Sequence, residues 1–98
     1  MFIIIWQYTI NPNFRDVFIE HYKADGVWAN FFQQSPHYFG TDFFETDTNQ
    51  FITVDKWSTE KEYELFLNTY REQYKDIDTM CEGFTVHEEL VIKNYMIV

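Results

Sequence analysis

Basic residues, cysteine, glycine and proline are all scarce in this chain of 98 residues. Seven lysines and arginines stand against sixteen acidic residues, which gives a formal net charge of −9. Because such a surface repels phosphate backbones and anionic lipid headgroups, we expect neither nucleic acid nor a membrane as a partner. The same charge disfavours a polyanionic substrate and favours a neutral or aromatic ligand.

The single cysteine, Cys81, excludes an intrachain disulfide, so nothing indicates an oxidising compartment. No apolar run is long enough to span a bilayer, and the apolar stretch over residues 2–6 has no basic flank of the kind that a secretion signal carries. We therefore expect a cytoplasmic protein. The length and the lack of low-complexity segments predict a single domain over residues 1–98.

Aromatic residues are abundant, with eleven Phe, seven Tyr and three Trp making up 21% of the chain. Each of these side chains buries a large area. In a small domain with much surface relative to its volume, they must fill a dense core, line a pocket or form an interface.

The periodicity of apolar residues predicts the order strand, helix, strand, strand, helix, strand. Strands are predicted over residues 2–10, 37–46, 50–57 and 84–93. Helical spacing predicts one broken helix or two consecutive helices between Asn11 and Ser35, and a further helix that starts with a capping box at Thr59 and continues to Cys81. This order is that of the split βαβ, ferredoxin-like α+β fold, whose antiparallel sheet carries helices on one face.

The first half of the predicted first strand is apolar on both faces. Ile3 and Ile5 are expected on the face without helices, together with Ile52 and Val54 of the third strand or the residues that alternate with them. An apolar face that no helix covers indicates an interaction surface, and self-association as a homodimer is the simplest cover. The helix-facing side of the first strand is predicted to carry Phe2, Ile4, Trp6, Tyr8 and Ile10.

Several local features occur together in a characteristic order. They are Asn11-Pro12 after the opening strand, Pro36-x-Tyr38-x-Gly40-Thr41, Asp55-Lys56-Trp57-Ser58 at the end of the third strand, and Tyr63 six residues after Trp57. On these features nearly the whole chain resembles the antibiotic biosynthesis monooxygenase family. The resemblance implies a dimeric α/β barrel. It leaves the activity open, because some members oxygenate aromatic polyketides without metal or flavin and others degrade haem.

The resemblance implies a pocket around Trp57 and Tyr63. Quinone-forming members have a Trp at the position of Trp57 and an Asn four residues earlier, where this chain has Thr53. Thr can donate a hydrogen bond but lacks the paired donor and acceptor of an amide. Tyr63 matches a pocket Tyr of those enzymes. The alternative is that Trp57 and Tyr63 only pack against each other in the core.

Asp55 shares a strand face with Thr53 and Trp57. If that face points into a pocket, burial raises the pKa of the carboxyl and makes Asp55 a general base. The alternative is a surface carboxylate paired with a neighbouring Lys.

Haem-degrading members have an Asn, a Trp and an axial His where this chain has Trp6, Phe66 and Asp76, so no haem is expected. Trp6, Tyr8 and Phe66 are predicted to contact the substrate instead. His21 and Asp25 have a spacing that suits two metal ligands, but no further ligand accompanies them, so neither a metal nor a cofactor is predicted.

Two hypotheses follow. In the first, the protein is a cofactor-independent monooxygenase for a small hydroquinone- or polyketide-like aromatic. Trp57 and Tyr63 hold the ring in an open pocket, and Thr53 or Asp55 assists proton removal. In the second, the protein is a non-catalytic dimeric module that binds a small apolar ligand or only stabilises an assembly.

Overall fold

The computed structural model describes the backbone of residues 1–96 and the side chains of residues 1–93. The predicted order of elements is confirmed. Within residues 1–96, no helix is both long enough and apolar enough to cross a membrane. The elements are β1 (Phe2–Ile10), a 3-10 turn (Pro12–Phe14), α1 (Arg15–Tyr22), α2 (Val27–Phe32), β2 (Tyr38–Asp47), β3 (Gln50–Trp57), α3 (Glu60–Thr69), α4 (Arg71–Cys81) and β4 (Thr85–Met96).

The four strands form one antiparallel sheet in the order β2-β3-β1-β4. This is the ferredoxin-like α+β fold that the sequence predicts. Residues directly opposite each other share a face, so the register Trp6↔Thr53 and Ile4↔Asp55 between β1 and β3 sets which side chains meet. On the other side of β1, Tyr8 lies opposite Glu88.

The helix starts follow the predicted caps. The Asn11 side chain accepts a hydrogen bond from the Asn13 amide at 3.0 Å, and Thr59 Oγ1 accepts one from the Glu62 amide at 3.2 Å. The helical region predicted from Thr59 to Cys81 forms two helices, because the chain breaks at Tyr70, where φ is −111° and ψ is 31°. The break lets α3 and α4 each direct their own buried residues, such as Phe66 and Ile77, onto the core.

Helices cover one face of the sheet, here called the inner face. The predicted helix-facing residues of β1 lie there, with Phe2, Ile4, Tyr8 and Ile10 buried and Trp6 partly buried. Phe18 and Tyr22 of α1 and Phe31 and Phe32 of α2 pack against them. The core is thus mainly aromatic, which accounts for much of the unusual composition.

The opposite face, here called the outer face, carries an apolar patch. By register it includes Ile3, Ile5, Phe44, Ile52, Val54 and Ile92. Phe44 is 53% exposed and Ile92 is 37% exposed, and no helix in the described part of the chain packs on them.

Candidate functional site

A partly open cavity of about 160 Å³ lies between the helices and the inner face of the sheet. An engineered cavity of about 150 Å³ in another protein binds benzene, so there is room here for one aromatic ring. Its polar lining residues are Thr41, Thr53, Asp55, Asp78 and Glu88. The rest of the wall is apolar or aromatic, formed by Trp6, Tyr8, Tyr22, Trp28, Ala29, Phe32, Tyr63 and Tyr74.

Strand pairing brings most of the predicted site residues to this cavity. Trp6 lies opposite Thr53, and alternation puts Tyr8 and Asp55 on the same inner face. Tyr63 reaches the cavity from the first turn of α3. Five of the seven predicted residues therefore line one space.

Trp57 and Phe66 are placed differently from the prediction, because neither is among the residues that line the cavity. Trp57 is fully buried, and Phe66 is 4% exposed. The Trp57 ring centroid lies 5.3 Å from those of Tyr63 and Phe66 and 5.6 Å from that of Phe32. β3 ends at Trp57 beneath α2 and α3, so the indole fills the core behind the cavity wall and supports Tyr63 and Phe32.

Asp55 is the ionisable group with the most distinctive surroundings. Thr41 Oγ1 donates a hydrogen bond to Asp55 Oδ1 at 2.6 Å, and the Tyr38 hydroxyl bonds to the same Thr41 oxygen. Burial raises the pKa of Asp55 to about 6, although the Thr41 hydrogen bond opposes that rise. The alternative of an Asp55–Lys pair does not hold, because the adjacent Lys56 pairs with Asp42 at 3.2 Å on the outer face.

The tyrosines of the wall are hydrogen-bond donors, not bases. Burial raises the pKa of Tyr8, Tyr22, Tyr63 and Tyr74 above the usual value, so their hydroxyls stay protonated at neutral pH. The Tyr8 hydroxyl lies 3.3 Å from Thr53 Oγ1, so these two predicted site residues are hydrogen-bonded to each other.

Sequence reasoning missed the other lining residues, namely Tyr22, Trp28, Ala29, Phe32, Thr41, Tyr74, Asp78 and Glu88. The aromatic residues among them were visible only as helical apolar stripes, which look the same whether they fill a core or line a cavity. Glu88 and Glu89 lie on opposite faces of β4, and only the register Tyr8↔Glu88 shows that Glu88 faces inward.

His21 and Asp25, whose spacing would suit two metal ligands, have other partners in the structure. His21 Nδ1 bonds to the Val17 carbonyl at 2.8 Å, and its ring packs edge-on against Phe84. Asp25 lies 3.9 Å from Lys23 Nζ. Among the residues that the structure describes, no group of three His, Cys, Asp or Glu side chains is arranged to hold a metal ion.

The fold is similar to that in a crystal structure of an antibiotic biosynthesis monooxygenase. The TM-score is 0.68 with 16% sequence identity, and the match covers 98% of this chain and 99% of that chain. No protein-family model matches the chain, and no curated protein matches it. At this level of identity the likeness establishes the fold.

Proposed function

We propose that the protein is a monooxygenase that oxidises a small, electron-rich aromatic compound in the cavity, with Asp55 as general base and no metal or flavin. The observation that carries the proposal is the Asp55 carboxylate itself. It is held by Thr41, has a pKa raised to about 6, and lies in an aromatic cavity with room for one ring. The structural neighbour being a monooxygenase agrees with this choice.

In the proposed reaction, Asp55 takes the proton of a phenol hydroxyl. The phenolate gives electrons to dioxygen, and a carbon–oxygen bond forms at the para carbon. Asp55 returns its proton to the outer peroxide oxygen. Cleavage of the oxygen–oxygen bond, with loss of the para hydrogen, releases water and leaves a quinone. One phenol and one dioxygen give one quinone and one water, and the substrate supplies all the electrons.

The remaining residues hold the ring. Trp6, Tyr8 and Tyr63 are proposed to contact the substrate, since they line the same cavity as Asp55. Thr53, already near the Tyr8 hydroxyl, is proposed to donate a hydrogen bond to the substrate oxygen. Trp57 and Phe66 act as positioning residues behind the wall, through their contacts with Tyr63 and Phe32.

Oxygen uptake with 2,6-dimethoxyphenol tests the proposal. We expect uptake to rise as the pH increases through about 6, where Asp55 loses its proton, and we expect one atom of ¹⁸O₂ in the quinone. Asp55→Asn should slow turnover by about 100-fold or more. The matched control is Asp42→Asn, on the outer face of β2, which should retain full activity. Ligand binding without any oxygen uptake would favour the non-catalytic binding module instead.

We also propose that the protein is a homodimer joined through the outer face. The support is the apolar patch around Ile5, Val54 and Phe44, which would otherwise be left in water. Two copies related by a twofold axis would cover this patch with an identical surface. A cytoplasmic location stays a prediction.

A further inference from the structure

The charged residues of the cavity all have one sign. Its described lining contains three carboxylates, Asp55, Asp78 and Glu88, and no Lys, Arg or His. Asp78 and Glu88 are exposed, whereas Asp55 is partly buried. The first two therefore lie where the cavity meets solvent, and Asp55 lies deeper. Thr85 Oγ1 donates a hydrogen bond to Glu88 Oε1 at 2.9 Å and so holds this carboxylate in place.

The three carboxylates act on the same space. Burial is the largest cause of the raised pKa of Tyr74, and the negative charges of Asp78, Glu88 and Asp55 raise it further. Burial is also the largest cause of the raised pKa of Tyr8. The Thr53 hydrogen bond opposes this rise, and the negative charges of Asp55 and Glu88 add to it. Because Tyr8 and Tyr74 come from β1 and α4, the negative potential extends across the cavity.

This potential makes the phenolate that forms from a neutral substrate less favourable. When Asp55 takes the proton of a neutral phenol, the negative charge moves to the ring oxygen and stays in the same cavity as Asp78 and Glu88, where like charges repel. A positive group on the same ligand would offset that repulsion, because the deprotonated ligand would then be a zwitterion.

Aromatic walls favour the same kind of ligand. The faces of Trp and Tyr rings attract ammonium groups, and the cavity has two Trp and four Tyr side chains in its wall. One of these rings already has a cation–π contact within the chain, since Lys93 Nζ lies 5.9 Å from the centroid of the Tyr63 ring. Lys93 is not among the residues that line the cavity.

We propose that the cavity selects a one-ring aromatic ligand carrying a protonated amine or quaternary ammonium group. The ring lies inside, near Asp55 and Thr53, and the cation lies at the mouth with Asp78 and Glu88. The inference rests on the proposed function only in taking this cavity as the substrate site. It concerns binding, which is measured without turnover.

Three phenols of similar size and different charge test the inference at pH 7. They are tyramine, which is a cation, tyrosol, which is neutral, and 4-hydroxyphenylacetate, which is an anion. Titration calorimetry in the absence of oxygen should show tyramine binding about tenfold or more tighter than tyrosol, and 4-hydroxyphenylacetate binding weakest. The preference for tyramine should decrease with added salt, because the mouth carboxylates are exposed.

Variants locate the source of the preference. The double variant Asp78→Asn with Glu88→Gln should reduce the advantage of tyramine over tyrosol to about threefold or less while tyrosol binding is retained. The matched control is Asp76→Asn with Glu89→Gln. It removes one carboxylate from the same helix and one from the same strand, and neither residue lines the cavity. Circular dichroism of both double variants checks that they are folded.

Equal affinity for tyramine and tyrosol, tighter binding of the anion, or no binding of tyramine at millimolar concentration would overturn the inference. So would loss of the preference in the control variant. The proposed function is judged separately. Tyramine has its side chain on the para carbon and cannot undergo the proposed oxidation, so oxygen uptake is measured with its meta isomer, 3-(2-aminoethyl)phenol. Selective tyramine binding without oxygen uptake on that isomer would refute the oxygenase and leave the ligand class standing, whereas oxygen uptake confined to neutral phenols would do the reverse.

Discussion

Asp55 is placed in surroundings that make its charged form costly. One oxygen has the Thr41 hydrogen bond, but the aromatic cavity around the carboxyl offers little hydration. The pKa therefore rises from the ordinary value of 3.8 to about 6. A carboxylate in this range accepts a proton near neutral pH and can return it afterwards, as the proposed reaction requires.

The raised pKa predicts a gain in stability when Asp55 is replaced. The folded carboxyl binds its proton more tightly than the unfolded one. Its contribution to stability is therefore fully present below pH 3.8 and is lost as the pH rises through about 6. The loss amounts to at most about 3 kcal/mol. Asp55→Asn, which cannot ionise, should therefore unfold at higher urea than wild type at pH 8, with the difference shrinking towards pH 4.

The control for this measurement is Asp42→Asn, at a carboxylate that pairs with Lys56 on the outer face. It should show no gain at pH 8. Equal urea midpoints for wild type and Asp55→Asn at pH 8 would contradict the placement of Asp55 in a poorly hydrated site.

Trp57 has a packing role that also predicts a measurable effect. The indole is fully buried among aromatic rings, so Trp57→Ala should lower the free energy of unfolding by about 3–5 kcal/mol. Trp6→Ala should cost clearly less, because Trp6 is partly exposed and faces a cavity that already lacks packing partners. Urea unfolding of both variants provides the comparison, and equal losses would show that Trp57 is no better packed than Trp6.

At the scale of elements, the junction between α1 and α2 positions one side of the cavity. Tyr22 ends α1 and Trp28 lies near the start of α2, and both line the cavity. Gly26 lies between them, and its amide donates to the Lys23 carbonyl at 2.8 Å. The absence of a side chain at Gly26 lets the two helices come this close.

A methyl group at Gly26 would disturb this junction. An added Cβ would lie 2.6 Å from the Glu20 carbonyl oxygen and 2.9 Å from that of His21. Since these are backbone atoms, Gly26→Ala should destabilise the protein by about 1–3 kcal/mol through forced displacement. Thermal unfolding would measure this loss. Gln33→Ala, at an exposed position just after α2, is the control and should have little effect.

At the scale of the whole molecule, the two faces of the sheet differ in what covers them. The inner face is covered by all four α-helices, whereas the outer face presents its apolar patch. The net charge of −9 keeps separate copies apart at long range, so the proposed association would have to come from close apolar contact.

Placing a charge in the outer patch should therefore separate the copies. Ile5→Lys and Phe44→Lys should each shift the mass measured by light scattering from dimer to monomer, because an unpaired ammonium would be buried at the interface. Phe44 is already 53% exposed in the single chain, so its replacement should leave the fold intact. Thr9→Lys, at the end of the same face of β1, is the control.

Wild-type protein that has the mass of one chain at micromolar concentration would refute the dimer. Dissociation by Thr9→Lys as readily as by Phe44→Lys would show that the loss of association does not depend on the apolar patch.

The order of elements and the inner face of β1 could be predicted from the sequence because both depend on local periodicity. Alternation over Phe2–Ile10 and the caps at Asn11 and Thr59 act over a few residues, so they are readable without knowing the fold. The break at Tyr70 was not readable, because the apolar stripe of α3 continues into α4 and only packing on the sheet shows that the direction changes.

By itself, the sequence determined that Thr53 and Asp55 share a face with Trp57, since residues two apart on a strand point the same way. Only the tertiary structure decided that Asp55 lines a cavity while Trp57, two residues later, fills the core. It also decided that Asp78 and Glu88 join Asp55 in one cavity. The physical reason is that alternation sets the direction of a side chain, whereas the depth of space in front of it depends on helices distant in sequence.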